Sequence, residues 1–241
     1  MQIFIWILLE IVLWGFISRY VSTLTETDFT IVFLGSILLW EFLVRVMQGL
    51  TLAFFEDVWS RNFLNIFSSP LSIGEYTLGL VASTIFTSLM GLAGMLLLAG
   101  FVFGLDFAVY GLLFIPYLLI LFLTGVALGI FGVGLVLRLG PSAEWFIWPI
   151  PALLAPFAGV FYPIETLPQW MQYVSLALPP SYIFEGMRTL LSESTVDFSL
   201  LALSAVLSIL YIALAYWYMH SVYRRAVRTG LLARYSAETT A

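Results

Sequence analysis

The chain has 241 residues, of which 62% are hydrophobic and only 10% charged, and its mean hydropathy is +1.05. Soluble domains run at about 45–50% apolar and about 25% charged, so a water-soluble globule and a disordered chain are both excluded. With no cysteine there is no disulfide scaffold or thiolate metal site, and the single histidine, His220, cannot build a metal cluster. All nine basic residues are arginine, so no lysine serves a Walker-type phosphate loop or a Schiff base. Any ATP used is hydrolysed by another chain, and the net charge of −5 argues against nucleic acid as a partner.

A hydrocarbon core of about 30 Å needs roughly 20 apolar residues of helix. That ruler predicts six membrane spans, near 2–18, 30–53, 77–103, 109–137, 145–162 and 200–219. The expectation is an all-α, polytopic membrane protein forming one domain over residues 1–241. The first span reads as retained rather than as a signal peptide. It lacks a basic leader, carries Glu10 at its centre and has no small-x-small cleavage site before Val21.

Six spans put both termini on one side. The tail 221–241 carries Arg224, Arg225, Arg228 and Arg234, which makes that side cytoplasmic by the positive-inside rule. Arg61 and Arg138 then fall inside as well, giving six internal arginines against Arg19 and Arg188 outside. The expected location is the cytoplasmic (inner) membrane. Most connections are short; the exceptions are a cytoplasmic stretch at 56–76 and an external one at 163–198. The fifth span contains Pro149, Pro151 and Pro156 while the second contains no proline, so no three-plus-three repeat of the secondary-transporter kind is evident.

Within 56–76, Trp59, Phe63, Ile66 and Phe67 fall at i, i+4, i+7 and i+8, with Arg61, Asn62, Asn65 and Ser68 around the rest of the circumference. This spacing predicts a short amphipathic helix. Ser69-Pro70 stops it, and Ser72-x-x-Glu75 has capping-box spacing at the start of the third span. Such a helix either lies among lipid headgroups or docks on a partner.

The external stretch holds Tyr162-Pro163, Leu167-Pro168-Gln169-Trp170, a short helical stretch to Leu178, the pair Pro179-Pro180, and a second short stretch from Tyr182 to Leu191. Both stretches are too short to cross a bilayer. Trp170, Met171, Val174 and Leu178 are too apolar for a free loop. A re-entrant hairpin packed among the spans fits, and a cap over the helix ends is the alternative.

Together these segments resemble the membrane subunit of type 2 ABC transporters. The matching residues outside are Gly159-Val-Phe-Tyr-Pro163, Leu167-Pro168-x-Trp170, Leu178-Pro179-Pro180-x-Tyr182 and Glu185-x-x-Arg188. Those inside are Ser69-Pro70-Leu71-Ser72-x-x-Glu75-Tyr76. The resemblance implies an export permease built from two copies, or one copy and a homologue, with two ATPase subunits on the cytoplasmic face that bind ATP and Mg. No cofactor is expected in this chain. It also implies that residues 56–70 form a coupling helix seated on the ATPase, using Trp59, Arg61, Phe63, Phe67, Ser69, Pro70, Ser72 and Glu75. The 163–191 hairpin would correspond to the family's external re-entrant helices, with Tyr162, Pro163, Pro168, Trp170, Pro179, Pro180, Tyr182, Glu185 and Arg188. Such permeases usually begin with a cytoplasmic amphipathic helix, whereas here Met1 leads almost directly into Ile3-Phe4-Ile5-Trp6. A shortened start or a missing ATPase contact is the expectation.

Glu41 and Arg45 sit at i and i+4 within the second span, acid first, and Glu10 in the first span is a further partner for Arg45. A lone charge at a span centre costs about 2.5–3.5 kcal/mol, so this group is expected to face protein or water, either as a moving element or as a static clasp. Two other functions compete. A six-span intramembrane serine protease would have to use Ser142 and His220, but Ser142 lies in a loop and lacks the following glycine of the usual motif. A non-transporting scaffold is permitted by composition alone.

Overall fold

In the computed structural model, residues 2–25, 30–60, 66, 70–105, 107–193 and 197–229 are described, and among them the regular structure is entirely helical. The helices are α1 (Gln2–Thr25), α2 (Thr30–Trp59), α3 (Ile73–Phe103), α4 (Phe114–Leu139), α5 (Glu144–Ile147), α6 (Pro149–Ala158), α7 (Gln169–Leu176), α8 (Pro179–Glu193) and α9 (Phe198–Thr229). Four described stretches, Phe33–Trp59, Ile73–Phe103, Gly111–Leu139 and Phe198–Thr229, are long and apolar enough to cross a membrane. At 1.5 Å per residue, the 24 residues of α1 extend about 36 Å.

Burial separates the centre from the periphery. The apolar windows of α2 and α4 are each 67% buried, against 28% for α3 and 17% for α9, so α2 and α4 form the axis of the bundle. Leu34, Leu43, Met47, Leu50 and Phe54 of α2 and Leu121 and Val133 of α4 are fully enclosed. What lets these two helices approach is a run of glycines on α4. A Cβ on Gly125 would stand 2.8 Å from the Leu43 carbonyl oxygen, one on Gly129 3.2 Å from the Met47 carbonyl, and one on Gly132 2.8 Å from Thr51 Oγ1. Small residues four apart are the usual way for helices to gain close van der Waals contact where lipid offers no hydrophobic incentive.

Several hydroxyls inside the bundle are satisfied locally or across helices. Thr51, Thr77, Thr84 and Thr124 each donate to the carbonyl four residues earlier, and the Thr124 and Ser208 hydroxyls lie 3.0 Å apart between α4 and α9. On the other flank, Trp14 of α1 stacks on Phe161 at 5.4 Å and meets Phe33 edge-on, tying α1 to α2 and to the stretch after α6.

Helix ends follow local chemistry. The Ser72–Glu75 capping box is present in both directions and starts α3 at Ile73, four residues earlier than hydropathy alone predicts. Gly104, at φ 68°, closes α3, its N–H reaching the Gly100 carbonyl. Asp197 accepts from the Ser199 hydroxyl and from the backbone N–H of Ser199 and Leu200. These bonds cap α9 and hold the Asp197 carboxyl below its ordinary range. The helix then runs to Thr229 and takes Arg224, Arg225 and Arg228 with it, so this part of the expected tail is helical. The expected fifth span is a pair, α5 and α6, meeting at Trp148. Pro149 and Pro151 remove two backbone donors there, and Gly159 at φ 67° ends α6.

Candidate functional site

Three regions carry the residues singled out from the sequence. The first is the connection between α2 and α3. The short amphipathic helix was expected to include Trp59, but Trp59 belongs to the last turn of α2, its ring stacked on Phe55 at 5.1 Å, with the Ser60 N–H bonded to the Glu56 carbonyl. That last turn persists past the apolar stretch for two reasons. The i, i+4 ring pair supports it, and Asp57 is anchored from α3, accepting from the Tyr76 hydroxyl at 2.6 Å. Tyr76 also meets Phe54 edge-on at 6.0 Å. The two helices are therefore bolted together directly at the mouth of the connection.

Ile66 is helical, half-buried and packed against the core; Pro70 and Ser72 are exposed, as is Glu75 within the capping box. Arg61, Phe63, Phe67 and Ser69 lie outside the described residues. Removing the Tyr76 hydroxyl would leave the Asp57 carboxylate short of a donor. Tyr76→Phe is expected to destabilise the purified protein by about 1–2 kcal/mol in an unfolding titration, an unchanged midpoint being the contrary result.

The second region runs from α6 to α8. Two short helices, α7 and α8, stand in the stretches where the proline spacing predicts them, and the segment leading into them is held by one ion pair. Glu185 Oε1 accepts from the Ile164 N–H at 2.7 Å and from Arg188 at 3.0 Å, while Arg188 also donates to the Gly159 carbonyl at the end of α6. Burial works against the charged Arg188 and the Glu185 carboxylate opposes that effect. Pro163 and Pro168 occupy extended positions before the 3-10 turn and before α7. The Tyr162 hydroxyl bonds the Pro156 carbonyl, and Trp170 meets Phe157 edge-on at 6.2 Å, which docks α7 on α6.

The end of α7 is satisfied by hydroxyls. The Ser181 hydroxyl lies 2.7 Å from the carbonyls of both Ser175 and Leu178 and has one proton to share between them; Tyr182 donates to Leu176, Tyr211 of α9 to Ala177, and Ser204 to Pro179. Pro179 and Pro180 are both buried. The Ser175 and Leu178 carbonyls also take the backbone N–H of Leu178 and of Ser181, so the tyrosine hydroxyls fall on the two carbonyls between them, Leu176 and Ala177.

The third region is the charged group within the bundle. Glu41 and Arg45 are half-buried on α2, and the Glu10 side chain lies outside the described residues. Arg45 lies across Gly91 of α3: a Cβ there would stand 2.6 Å from its Cδ and 3.1 Å from its Nε. Its stem is therefore accommodated by a missing side chain on the neighbouring helix, an arrangement that the pattern along α2 alone does not indicate.

Ser142 and His220 do not form a nucleophile and base. The Ser142 hydroxyl bonds the Leu139 carbonyl, and His220 stacks beside Tyr216 at 6.1 Å; among the described residues its Nδ1 has no hydrogen-bond partner that could orient it. Among the same residues no group of acids and imidazoles could hold a metal. Sequence reading missed two features. The glycine run on α4 carries a visible signal, the four-residue spacing of Gly125 and Gly129; Tyr117, fully buried with its hydroxyl beneath Gly186 of α8, carries none.

Long apolar helices bundled around a buried α2–α4 axis define a multi-pass membrane protein. The family model described as ABC-2 type transporter matches residues 1–191, and the chain belongs to that family. It is an ABC transporter permease subunit, a membrane transport domain without an ATPase site of its own. No curated protein matches the chain.

Proposed function

We propose that this permease is the membrane half of an exporter in the cytoplasmic membrane, working with two separate ATPase subunits that bind ATP and Mg and with a second permease copy or a homologue. The family match over residues 1–191 carries this reading. In it the chain crosses six times, with α1 and the α5–α6 pair as the further crossings and both termini cytoplasmic. The clustering of Arg138 at the end of α4 with Arg224, Arg225 and Arg228 at the end of α9 supports that orientation.

Closure of the ATPase subunits pushes on residues 56–70. The Asp57–Tyr76 bond at the base of that connection passes the displacement into α2 and α3 together rather than letting the connection flex alone. At the opposite end the α7–α8 hairpin sits at membrane depth as a re-entrant element beside the exit. Support for this comes from the Leu176 and Ala177 carbonyls, which take the Tyr182 and Tyr211 hydroxyls, since an end facing bulk water needs no such partners. Glu41 and Arg45 act as a polar element in a helix that shifts during transport.

The test is purification with the neighbouring ATPase and photo-crosslinking from positions 63 and 67. Adducts to the ATPase are expected, together with a Phe63→Ala/Phe67→Ala variant that retains basal hydrolysis and loses stimulation by the permease. Adducts to phospholipid alone, with hydrolysis unaffected by the permease, would sink the proposal.

A further inference from the structure

Helices α4 and α9 run side by side and parallel: Thr124 meets Ser208, and Gly134 lies against the Tyr218 ring, both pairs being 84 residues apart. Along their outer seam lie two cavities that share Tyr218. One, of about 320 Å³, is walled by Phe131, Leu214 and Trp217. The other, of about 360 Å³, contains Arg138 from the end of α4 and Arg225 from the end of α9.

The residues of α9 that line the seam, from Tyr211 through Leu214, Tyr218 and Ser221 to Arg225, step by three or four and so occupy one helix face. At 1.5 Å per residue this face is about 21 Å long, more than one leaflet's share of a core about 30 Å thick. Trp217 and Leu214 remain 70% and 50% exposed, and both guanidiniums are exposed, with no ion pair among the described residues.

An apolar seam of acyl-chain length that ends in two exposed guanidiniums is complementary to one kind of molecule. We propose that this groove binds an anionic phospholipid, its phosphate between Arg138 and Arg225 and one acyl chain along Phe131, Leu214 and Trp217. Basic pockets between helices at a membrane face are a recurrent solution for such headgroups. The inference needs only that these helices lie in a bilayer and is independent of the proposed ATPase coupling.

The test uses the purified full-length chain in detergent, titrated with brominated phosphatidylglycerol or phosphatidylcholine while tryptophan quenching is followed. Preferential quenching by phosphatidylglycerol is expected, and Trp217→Phe should remove the preferentially quenched fraction. Arg138→Gln/Arg225→Gln should weaken phosphatidylglycerol binding by about thirtyfold and leave phosphatidylcholine unaffected, whereas Arg138→Lys/Arg225→Lys should preserve the preference. A glutamine variant that keeps the preference would overturn the proposal. So would displacement of the lipid by millimolar glycerol phosphate, which would mark a soluble-anion pocket. Disulfide-linked dimers formed by Leu214→Cys in this cysteine-free chain would equally overturn it, showing a protein interface instead.

Discussion

Gly125→Val is expected to be the most damaging single substitution within the bundle. The new Cβ would stand 2.8 Å from both the Leu43 carbonyl oxygen and Val46 Cβ. Neither is the far end of a flexible side chain, so α2 and α4 must separate, and they form the most buried pair in the structure. Overpacking of this sort costs about 1–3 kcal/mol, and valine, with two further carbons, belongs at the upper end.

Gly79 on α3 supplies the control, because a Cβ there meets nothing within 4 Å. Gly79→Ala should be neutral or stabilising by up to about 1 kcal/mol through helix propensity. Unfolding of the two purified variants in the same detergent makes the comparison, and equal midpoints for Gly125→Val and wild type would contradict the close approach of α2 to α4.

Arg188→Ala is the second substitution with a large expected effect. It leaves the Glu185 carboxylate without its cation and the Gly159 carbonyl, at the buried end of α6, without its donor. Breaking a buried pair from one side costs about 3–5 kcal/mol; the Glu185 side chain is 34% exposed, so a loss of about 2–3 kcal/mol is expected here. Arg188→Lys should recover only part of it, since an ammonium lacks the planar fork that reaches the carboxylate and the carbonyl together. Glu185→Gln should cost less than Arg188→Ala because an amide oxygen still accepts from the Ile164 N–H. The clearest readout is proteolysis within 159–168, which should accelerate in Arg188→Ala ahead of global unfolding. Unchanged cleavage would mean that the pair does not hold this segment.

The parts of this architecture that were legible in advance are those governed by neighbours in sequence. Ser72 and Glu75 are three residues apart and cap each other whatever surrounds them. Pro168, Pro179 and Pro180 restrict their own backbone and so mark where α7 and α8 begin. Trp59 misled for a complementary reason: its helical spacing to Phe63 is real, but its spacing to Phe55 is just as helical, and the anchor that favours α2 comes from Tyr76, on another helix. Glu185 and Arg188 were recognisable as a motif, yet the groups they hold, the Ile164 amide and the Gly159 carbonyl, are 21 and 29 residues away.

Hydropathy and length determine by themselves that this chain is helical and lives in a membrane, because the cost of unpaired backbone in hydrocarbon applies to every residue regardless of its neighbours. Its motifs suffice to place it among type 2 ABC permeases. Only the tertiary structure decides that α2 and α4 form the axis, that Arg45 crosses Gly91, that the Leu176 and Ala177 carbonyls find tyrosine hydroxyls, and that two arginines crown an apolar seam. Each of those depends on which helix faces stand opposite one another. In a bilayer, where all apolar faces are equally soluble in lipid, shape and hydrogen bonding between distant residues make that choice.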